Sequence, residues 1–303
     1  MTFFPWKRAL RSARVWFFLT VMLTLGLIAG LAPLIAPHDP YRSSITQPRL
    51  PPMWVQGVSR PGVPEHPLGT DRYGRDILSR MIYGARTAFF LALTAVPLAA
   101  LIGTLIGLIA GYAGGRLDTW IMFFIDMVNA LPGIMFVVII VLIFRNMLTP
   151  TWLHGMITLV IGFAAIGWVS LARLIRINVL QIKSKSFMEA AVALGASPWR
   201  MITRHLFPNV LHVIMIWIVN NIPAVILLEA LLGYIGIGVI NAPEGGEFTV
   251  VSWGGMFFSG RASLSANPLM LIIPSVSILL ISMSFILLGD FLNSITRQEY
   301  DME

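Results

Sequence analysis

The sequence predicts an all-α protein that crosses a membrane six times, and three observations lead to this prediction. The chain of 303 residues is 57% hydrophobic and only 12% charged, whereas ordinary soluble domains carry about 25% charged residues. Its mean hydropathy is +0.81. All Lys and Arg residues lie outside the long apolar runs, and only Asp126 and Glu229 lie well inside one. Since a charge in the middle of a membrane helix costs about 2.5–3.5 kcal/mol, this segregation indicates a membrane as the solvent.

Six apolar runs are long enough to span a bilayer, which takes about 20 helical residues. They cover residues 15–36, 88–111, 120–144, 156–172, 212–235 and 269–292. The fourth run is the shortest and can extend toward Arg176. Backbone groups in lipid must be hydrogen-bonded within the segment, which favours helices, and the sequence lacks the alternating strands of a membrane barrel.

The first apolar run follows a basic tail, as the apolar part of a signal peptide would. The basic residues of the tail are Lys7, Arg8, Arg11 and Arg14. The run is about 22 residues long, against about 7–15 in a signal peptide. Its end, residues 34–37, offers no small-x-small cleavage site. We therefore expect a retained first span.

The connection after the first span is predicted to be extended and irregular. Eight prolines lie between residues 37 and 67, and proline disfavours the interiors of helices and sheets. Segment 71–87 carries four Arg residues together with Asp71 and Asp76, and we expect an interfacial helix there. These boundaries divide the chain into an N-terminal part (1–87), a membrane core (88–292) and a tail (293–303).

The distribution of basic residues predicts the side of the membrane on which each loop lies. The N-terminal tail and segment 173–211 together carry ten Lys and Arg residues against one acidic residue, Glu189. Loops rich in Lys and Arg remain in the cytoplasm, so we place both there. Six spans then bring the C-terminal tail to the cytoplasmic side as well. The four Arg residues of segment 71–87 lie on the proposed outer side and run against this rule.

Several classes of function are disfavoured by the composition. The net charge of +7 is mostly loop Lys and Arg that set topology, so we expect no nucleic-acid partner. The chain has no Cys, and its five His residues are scattered without metal-ligand spacing. A P-loop needs Gly-Lys followed by Ser or Thr, and none of Lys7, Lys183 and Lys185 follows a Gly. We therefore expect no catalysis, no metal and no cofactor in this chain.

Segment 173–211 is a basic stretch of nearly forty residues in a protein whose other cytoplasmic loops are short. Its centre, residues 189–197, is predicted to form a helix of small residues. Glu189 lies near the start of this helix, where the helix dipole favours a carboxylate, and Gly195 and Pro198 can end the helix. Residues 199–211 can form a second helix that leads into the fifth span. From the residues alone, the segment is either an ordinary helical linker or a docking element.

The stretch EAAVALGASPWRMITRHLFPN resembles the EAA loop of ABC-importer permeases. The pattern of that loop is E-A-A, three residues, Gly, nine residues and then I-x-L-P. Five positions match in register: Glu189, Ala190, Ala191, Gly195 and Pro208. His205 stands at the Ile position, as it does in the peptide-permease branch, and Phe207 stands at the Leu position.

Other segments are similar to the same branch, the oligopeptide/dipeptide permease family. They are HPLGTDRYGRDILSRMIYGAR (66–86), GYAGGRLD (111–118), Leu228-Glu229-Ala230 with GYIGIG (233–238), SWGGM (252–256) and LLGD (287–290). The resemblance covers residues 64–292. The short region between the first span and HPLGTD looks more like the C-type than the B-type subunit of the permease pair.

The resemblance implies a type I importer bundle in a bacterial inner membrane that forms half of a path for peptides. It also implies four kinds of partner: a B-type permease, two cytoplasmic ATPases that bind ATP and Mg²⁺, an extracytoplasmic solute-binding protein, and membrane lipid. The implied contacts with an ATPase are Glu189, Ala190, Ala191, Gly195, Ala196, Ser197 and Pro208.

Three alternatives to peptide import stay open. Related permeases carry nickel complexes, oligosaccharides or glutathione-like solutes. A secondary transporter would need coupling ions and usually inverted repeats, and no repeat is visible. A polytopic membrane enzyme would need converging polar groups at a membrane interface, and none converge in the sequence.

Three polar residues inside the spans are candidates for the solute path or its gate. Glu229 could line the path, or it could be a paired structural group near the outer end of span five. Asp126 and Asn129 share a helical face before Pro132, which could be a pore stripe or a contact between helices beside a proline kink. Gly103, Gly107 and Gly111 recur every four residues, and this spacing favours close helix packing over a sliding surface.

Overall fold

A computed structural model describes residues 12–57, 59–144, 156–237, 250–261 and 267–300, with side chains to residue 294. Apart from one isolated bridge between Thr70 and Asp76, the regular elements in these ranges are helices. In chain order they are α1 (Ala13–Gly30), α2 (Ala32–Ile35), α3 (Ile77–Ala113), α4 (Gly115–Asn129), α5 (Gly133–Phe144), α6 (Met156–Lys183), α7 (Ser186–Ala193), α8 (Pro198–Tyr234), α9 (Trp253–Arg261) and α10 (Leu269–Tyr300).

The helices confirm the predicted all-α membrane architecture. Five of them, namely α1, α3, α6, α8 and α10, are long and apolar enough to cross a membrane. The bent pair α4–α5 brings the number to six if it counts as one span. Helix α7 lies at one end of the bundle and α9 at the other, and these ends are called the α7 end and the α9 end below.

Helix α3 is longer than the predicted second span of 88–111, because it begins at Ile77. The separate interfacial helix expected over 71–87 is therefore wrong: residues 77–87 form the first turns of α3. The side chain of Asp76 caps this start by accepting a hydrogen bond from the Ser79 backbone N–H at 2.7 Å. Arg80, one of the unexpected outer charges, is buried with its Nε 3.9 Å from the carboxylate of Asp71.

The predicted third span of 120–144 is broken rather than continuous. Helices α4 and α5 meet at an angle of 82° around residues 130–132. Pro132 explains the break, since it has no N–H for a helical hydrogen bond and disfavours helical geometry in the residue before it. Sequence reasoning anticipated a kink there, but a bend of this size separates two helices.

The predicted long loop over 173–211 is mostly helical. Helix α6 continues past the predicted end of the fourth span to Lys183, and α8 begins at Pro198. The expected second helix leading into the fifth span is confirmed as the first part of α8. Two charges that were assigned to the loop lie on α6 and pair with α4: Arg173 with Asp126 and Arg176 with Asp118. Each of these Arg side chains on α6 is therefore paired with an Asp on the neighbouring helix α4.

Helices α3 and α6 pack along most of their length and form the centre of the bundle. A Cβ atom on Gly103 would lie 2.7 Å from the carbonyl oxygen of Trp168, and one on Gly107 would lie 2.6 Å from that of Ala172. A Cβ on Gly111 would lie 2.7 Å from the Cβ of Val179. The prediction that these glycines permit close helix packing is confirmed.

The irregular connection and α9 cover the α9 end of the bundle. The described residues between positions 37 and 76 contain no helix, as the prolines predicted. The connection between the fifth and sixth predicted spans contains α9, which docks between α3 and α8. Trp253 Nε1 donates to the Met81 carbonyl at 3.1 Å, and Thr87 Oγ1 donates to the Val251 carbonyl at 2.7 Å. A Cβ atom on Gly233 would lie 2.3 Å from the carbonyl carbon of Gly254, so α8 and α9 meet backbone to backbone.

Candidate functional site

The connection between α6 and α8, residues 184–197, is called the α7 segment. Its helix ends in a Schellman motif, in which the Gly195 N–H donates to the Val192 carbonyl at 2.9 Å and the Ala196 N–H to the Ala191 carbonyl at 3.0 Å. Gly195 has φ +77°, a left-handed conformation that favours glycine. The predicted helix stop at Gly195 is therefore confirmed, with the helix itself spanning Ser186–Ala193.

One face of the α7 segment is fixed to the bundle. Met188 is 3% exposed and belongs to the main hydrophobic core, and Ala191 and Ala196 pack against that core. Lys183 Nζ, just before the segment, donates to the Tyr112 carbonyl at 2.8 Å and so ties the end of α6 to the end of α3. Ser197 Oγ accepts a hydrogen bond from the Arg200 N–H at 3.4 Å and caps the start of α8.

The other face of the α7 segment is open. Glu189, Ala190, Gly195 and Ser197 are exposed, as a docking element requires. Two large apolar side chains of the segment join them, Val192 and Leu194 with exposed fractions of 62% and 89%, and Trp199 at the start of α8 is 75% exposed. The sequence analysis did not predict that these three side chains are exposed, because it considered only the small residues of the helix. The presence of large apolar residues in a polar, basic segment was the signal that could have identified them.

Pro208 and His205 lie on the first turns of α8, beside the α7 segment. Residues Met201–Leu206 form a π-helical stretch, and Pro208 is exposed just after it. The extra residue of a π turn is a way to accommodate a proline that cannot donate a helical hydrogen bond. The His205 ring lies 6.5 Å from that of Phe187, centroid to centroid, so the departure from the motif's Ile places an aromatic contact between α8 and α7.

The structure does not bring the three candidate path residues together. Glu229 is buried where α8 meets α9, and its Oε2 accepts a hydrogen bond from the Gly254 N–H at 3.3 Å. Asp126 and Asn129 lie exposed on α4, and Asp126 Oδ1 is 2.7 Å from Arg173 Nη2. In the described parts of the chain no hydrogen bond or ion pair links Glu229 to the α4 residues.

Two of the five His residues, scattered in the sequence, come together at the α9 end. The rings of His38 and His66 lie 4.5 Å apart, and His66 Nδ1 is 2.9 Å from Asp76 Oδ1. One donor atom from each of these three residues lies within 4.8 Å of the others, which is a spacing a metal ion could bridge. The second ring nitrogen of His66 is 3.1 Å from Gln47 Oε1, so both nitrogens already have hydrogen-bond partners.

The fold and the α7 segment define a polytopic membrane protein that holds a rigid, partly apolar helix at one end of its bundle. Residues 103–299 match the family described as binding-protein-dependent transport system inner membrane component. Residues 5–52 match the N-terminal TM domain of oligopeptide transport permease C. The chain belongs to this family of membrane components of binding-protein-dependent transport systems.

Several curated relatives are similar over most of the chain. The dipeptide transport system permease protein DppC of Bacillus subtilis is 33% identical over 286 residues, which cover 94% of this chain and 82% of the relative. The oligopeptide transport system permease protein OppC of the same organism is 31% identical over 272 residues, covering 90% and 81%. The glutathione transport system permease protein GsiD of Pectobacterium atrosepticum is 33% identical over 225 residues, covering 74% and 70%. The resemblance inferred from the motifs is confirmed.

Proposed function

We propose that this chain is the C-type permease subunit of an ATP-binding-cassette importer for peptides and that the α7 segment couples it to an ATPase. The observation that carries the proposal is the geometry of the α7 segment. Its inner face is held by Met188, and its outer face presents Val192 and Leu194 beside Glu189, with the exposed Trp199 following at the start of α8. Each large apolar side chain that becomes buried against a partner contributes about 1.5–3 kcal/mol.

The coupling proposal follows from how the α7 segment is connected. It joins α6 to α8, and α8 is one helix of 37 residues, about 55 Å long. At its far end, α8 contacts α9 through Glu229 and Gly254. A movement of the α7 segment that follows closure of the ATPases therefore reaches the α9 end through a continuous element. The proposed mechanism is a switch between two packed states, biased by ATP in the partner subunits.

The α7 end is placed in the cytoplasm of a bacterial inner membrane, with both termini on that side. The ten basic residues of the N-terminal tail and of segment 173–211 support this orientation. Two of the four Arg residues that run against it, Arg75 and Arg80, are buried around Asp71 instead of lying free on the outer surface, so they weigh less against this orientation.

The proposed partners follow from the family and from the sequence. ATP and Mg²⁺ bind two ATPase subunits, one of which docks on Glu189, Ala190, Ala191, Gly195, Ala196, Ser197 and Pro208 of this chain. A B-type permease completes the path, and an extracytoplasmic binding protein delivers the solute. This chain contributes no catalysis and holds no cofactor or metal. A secondary transporter finds no support in the family membership.

Peptides are the proposed solutes because two of the relatives described above are permeases for dipeptides and oligopeptides. A glutathione permease among the relatives supports glutathione-like solutes as the second candidate. None of the three relatives described above is named as a permease for nickel complexes or oligosaccharides. Of the candidate path residues, Asp126 and Asn129 have the exposure that a path or a permease–permease contact requires, whereas the partners of Glu229 support a structural role.

The test is uptake into proteoliposomes that contain the complete complex, combined with a thermal-shift screen of its binding protein. Dipeptides should raise the melting temperature of the binding protein, and their uptake should require both ATP and that protein. Glutathione, oligosaccharides and nickel complexes serve as comparison solutes. Stabilisation by one of these alone would reject peptide import, and uptake without ATP would reject the importer class.

A further inference from the structure

A cleft of about 460 Å³ opens between α6, α8 and α10. Its volume lies within the range of about 300–1,000 Å³ that is usual for sites that hold small molecules. Four of the residues that line it carry side-chain amides: Asn178 from α6, Asn220 and Asn221 from α8, and Asn293 from α10. No Asp, Glu, Lys or Arg lines it, and His212 is the one titratable residue in its lining. Three of the long helices thus direct uncharged polar groups into one space.

Two of these amides lie deep within an apolar span. Asn220 is 14 residues from the end of α8 at Tyr234, or about 21 Å along the helix. A hydrocarbon core about 30 Å thick that begins near Tyr234 would include this position. Polar side chains at such depth are costly in lipid and face protein or water instead. Asn220 is exposed and has no hydrogen-bond partner among the described residues, so its amide is available to something else.

A glycine on the neighbouring helix positions Asn220. A Cβ atom on Gly289 of α10 would lie 2.2 Å from Asn220 Oδ1, so the amide occupies space that only a glycine leaves open. Gly289 belongs to the LLGD segment, one of the motifs on which the family resemblance rests. Gly289 therefore leaves room for the Asn220 amide where α8 and α10 pack together.

An amide side chain offers both a donor and an acceptor, and so does each peptide bond. We propose that this cleft is the subunit's share of the solute path and that its amides bind the peptide backbone of a passing solute in preference to its charged groups. The inference rests on the proposed function and deepens it. A lining without a carboxylate, Lys or Arg accepts peptides of different side-chain charge, whereas such a fixed charge would favour one sign and reject the other.

Cysteine labelling tests whether the cleft is part of the path. The chain has no cysteine, so an Asn220→Cys variant carries its only thiol. In the complete complex, with the partner subunits made cysteine-free, a water-soluble maleimide should modify this thiol. Transported dipeptide with binding protein and ATP should slow the reaction about threefold or more. Met215→Cys is the matched control, since Met215 is exposed on α8 but points about 140° away from Asn220. Its labelling should not respond to dipeptide.

Two further variants separate recognition from packing. Asn220→Leu removes the donor and acceptor and should lower dipeptide uptake about three- to tenfold, as expected for lost hydrogen bonds. Asn220→Gln keeps the amide and should retain most of the uptake. Both variants should assemble with the ATPases as the wild type does. Unchanged uptake by Asn220→Leu would overturn the inference. It would also be overturned if a thiol at position 220 reacted in the isolated chain but not in the complex, because the partner permease would then cover the amides.

Wild-type uptake in the same vesicles keeps the two proposals distinguishable. If the assembled wild type takes up no peptide, the proposed function fails whatever the labelling shows. If it takes up peptide while the rate of labelling at position 220 is the same with and without dipeptide, only the assignment of the cleft fails.

Discussion

Arg176 and Asp118 form two hydrogen bonds across the interface of α6 and α4, with Arg176 Nη2 2.6 Å from Asp118 Oδ2. The pair lies close to the α7 end, since α4 begins at Gly115 and α6 ends at Lys183. A second pair, Arg173 and Asp126, joins the same helices but is more exposed. Bidentate pairs of this kind fix orientation as well as contributing energy. The first pair therefore holds the base from which the α7 segment projects.

Asp118→Asn should destabilise this base, because it removes the charge that Arg176 pairs with in a partly buried site. We expect a loss of about 1–3 kcal/mol, seen as a lower melting temperature of the purified complex. Asp126→Asn is the matched control, and its exposed pair should cost less than about 1 kcal/mol. Equal losses for the two variants would contradict this ranking.

Gly195 should tolerate Asn better than Ala. A Cβ atom there meets nothing within 4 Å, so the difficulty lies in the backbone, where φ is +77°. Asn enters this conformation more readily than Ala, whose strain is about 1–2 kcal/mol. We expect Gly195→Ala to weaken retention of the ATPases during affinity purification and Gly195→Asn to preserve it. A bulky residue such as Trp should release the ATPases. Full retention with Trp would remove the coupling role from this segment.

Leu194→Ser combined with Trp199→Ser should release the ATPases while leaving the fold intact. These side chains are 89% and 75% exposed, so their loss costs the isolated chain little. If the ATPase buries them, its affinity should fall about tenfold or more, since each contributes about 1.5–3 kcal/mol. Leu117→Ser is the control, because Leu117 is 50% exposed near the same end of the bundle but lies outside the α7 segment. Comparable release by the control would indicate a general surface effect.

Gly254→Ala should disturb the α9 end. The added Cβ would lie 2.6 Å from the Glu229 carbonyl oxygen and 2.7 Å from its Oε1, and overpacking of this kind costs about 1–3 kcal/mol. Gly30→Ala, where a Cβ meets nothing within 4 Å, should not destabilise the protein. Glu229→Gln retains an oxygen that can accept from the Gly254 N–H, so it should melt closer to the wild type than Glu229→Leu. A reversed order in thermal melts would reject the structural role of Glu229.

The orientation can be checked with a thiol at the exposed position 185. Lys185→Cys should react with a membrane-impermeant maleimide in inside-out vesicles and not in intact cells whose outer membrane has been permeabilised. A thiol on the proposed outer side, placed by Glu65→Cys, should show the opposite pattern. Reaction of position 185 from outside would invert the topology.

The apolar runs alone predicted which parts of the chain form the long apolar helices, because helices that lie in lipid consist mostly of apolar residues. They did not predict how far the helices extend beyond those runs. Arg173 and Arg176 read as loop residues because their partners, Asp126 and Asp118, lie 47 and 58 residues away in the chain. The same applies to Arg80, whose burial depends on Asp71 and on the carbonyl of Pro40.

The small-residue helix and its stop at Gly195 followed from local rules, namely helix propensity and the left-handed preference of glycine. The exposure of Leu194 and of Trp199 at the start of α8 did not follow from these rules, since exposure depends on which face Met188 anchors. The amides of the cleft come from three helices, and only tertiary packing brings Asn178, Asn220 and Asn293 to one place. Linear motifs therefore identified the family, while the contacts that distinguish this chain required the fold.

The right-angled corner between α4 and α5 limits how the subunit can sit in lipid. In the last turn of α4, the carbonyl groups of Asp126 and Val128 accept hydrogen bonds from the N–H groups of Ala130 and Leu131. The carbonyls of Met127 and Asn129 have no donor in the described backbone, and hydrocarbon offers none. A membrane can accept such a corner only where protein or water covers it. The surface around residues 130–132 must consequently turn away from the acyl chains, which restricts the rotation of this bundle about the membrane normal.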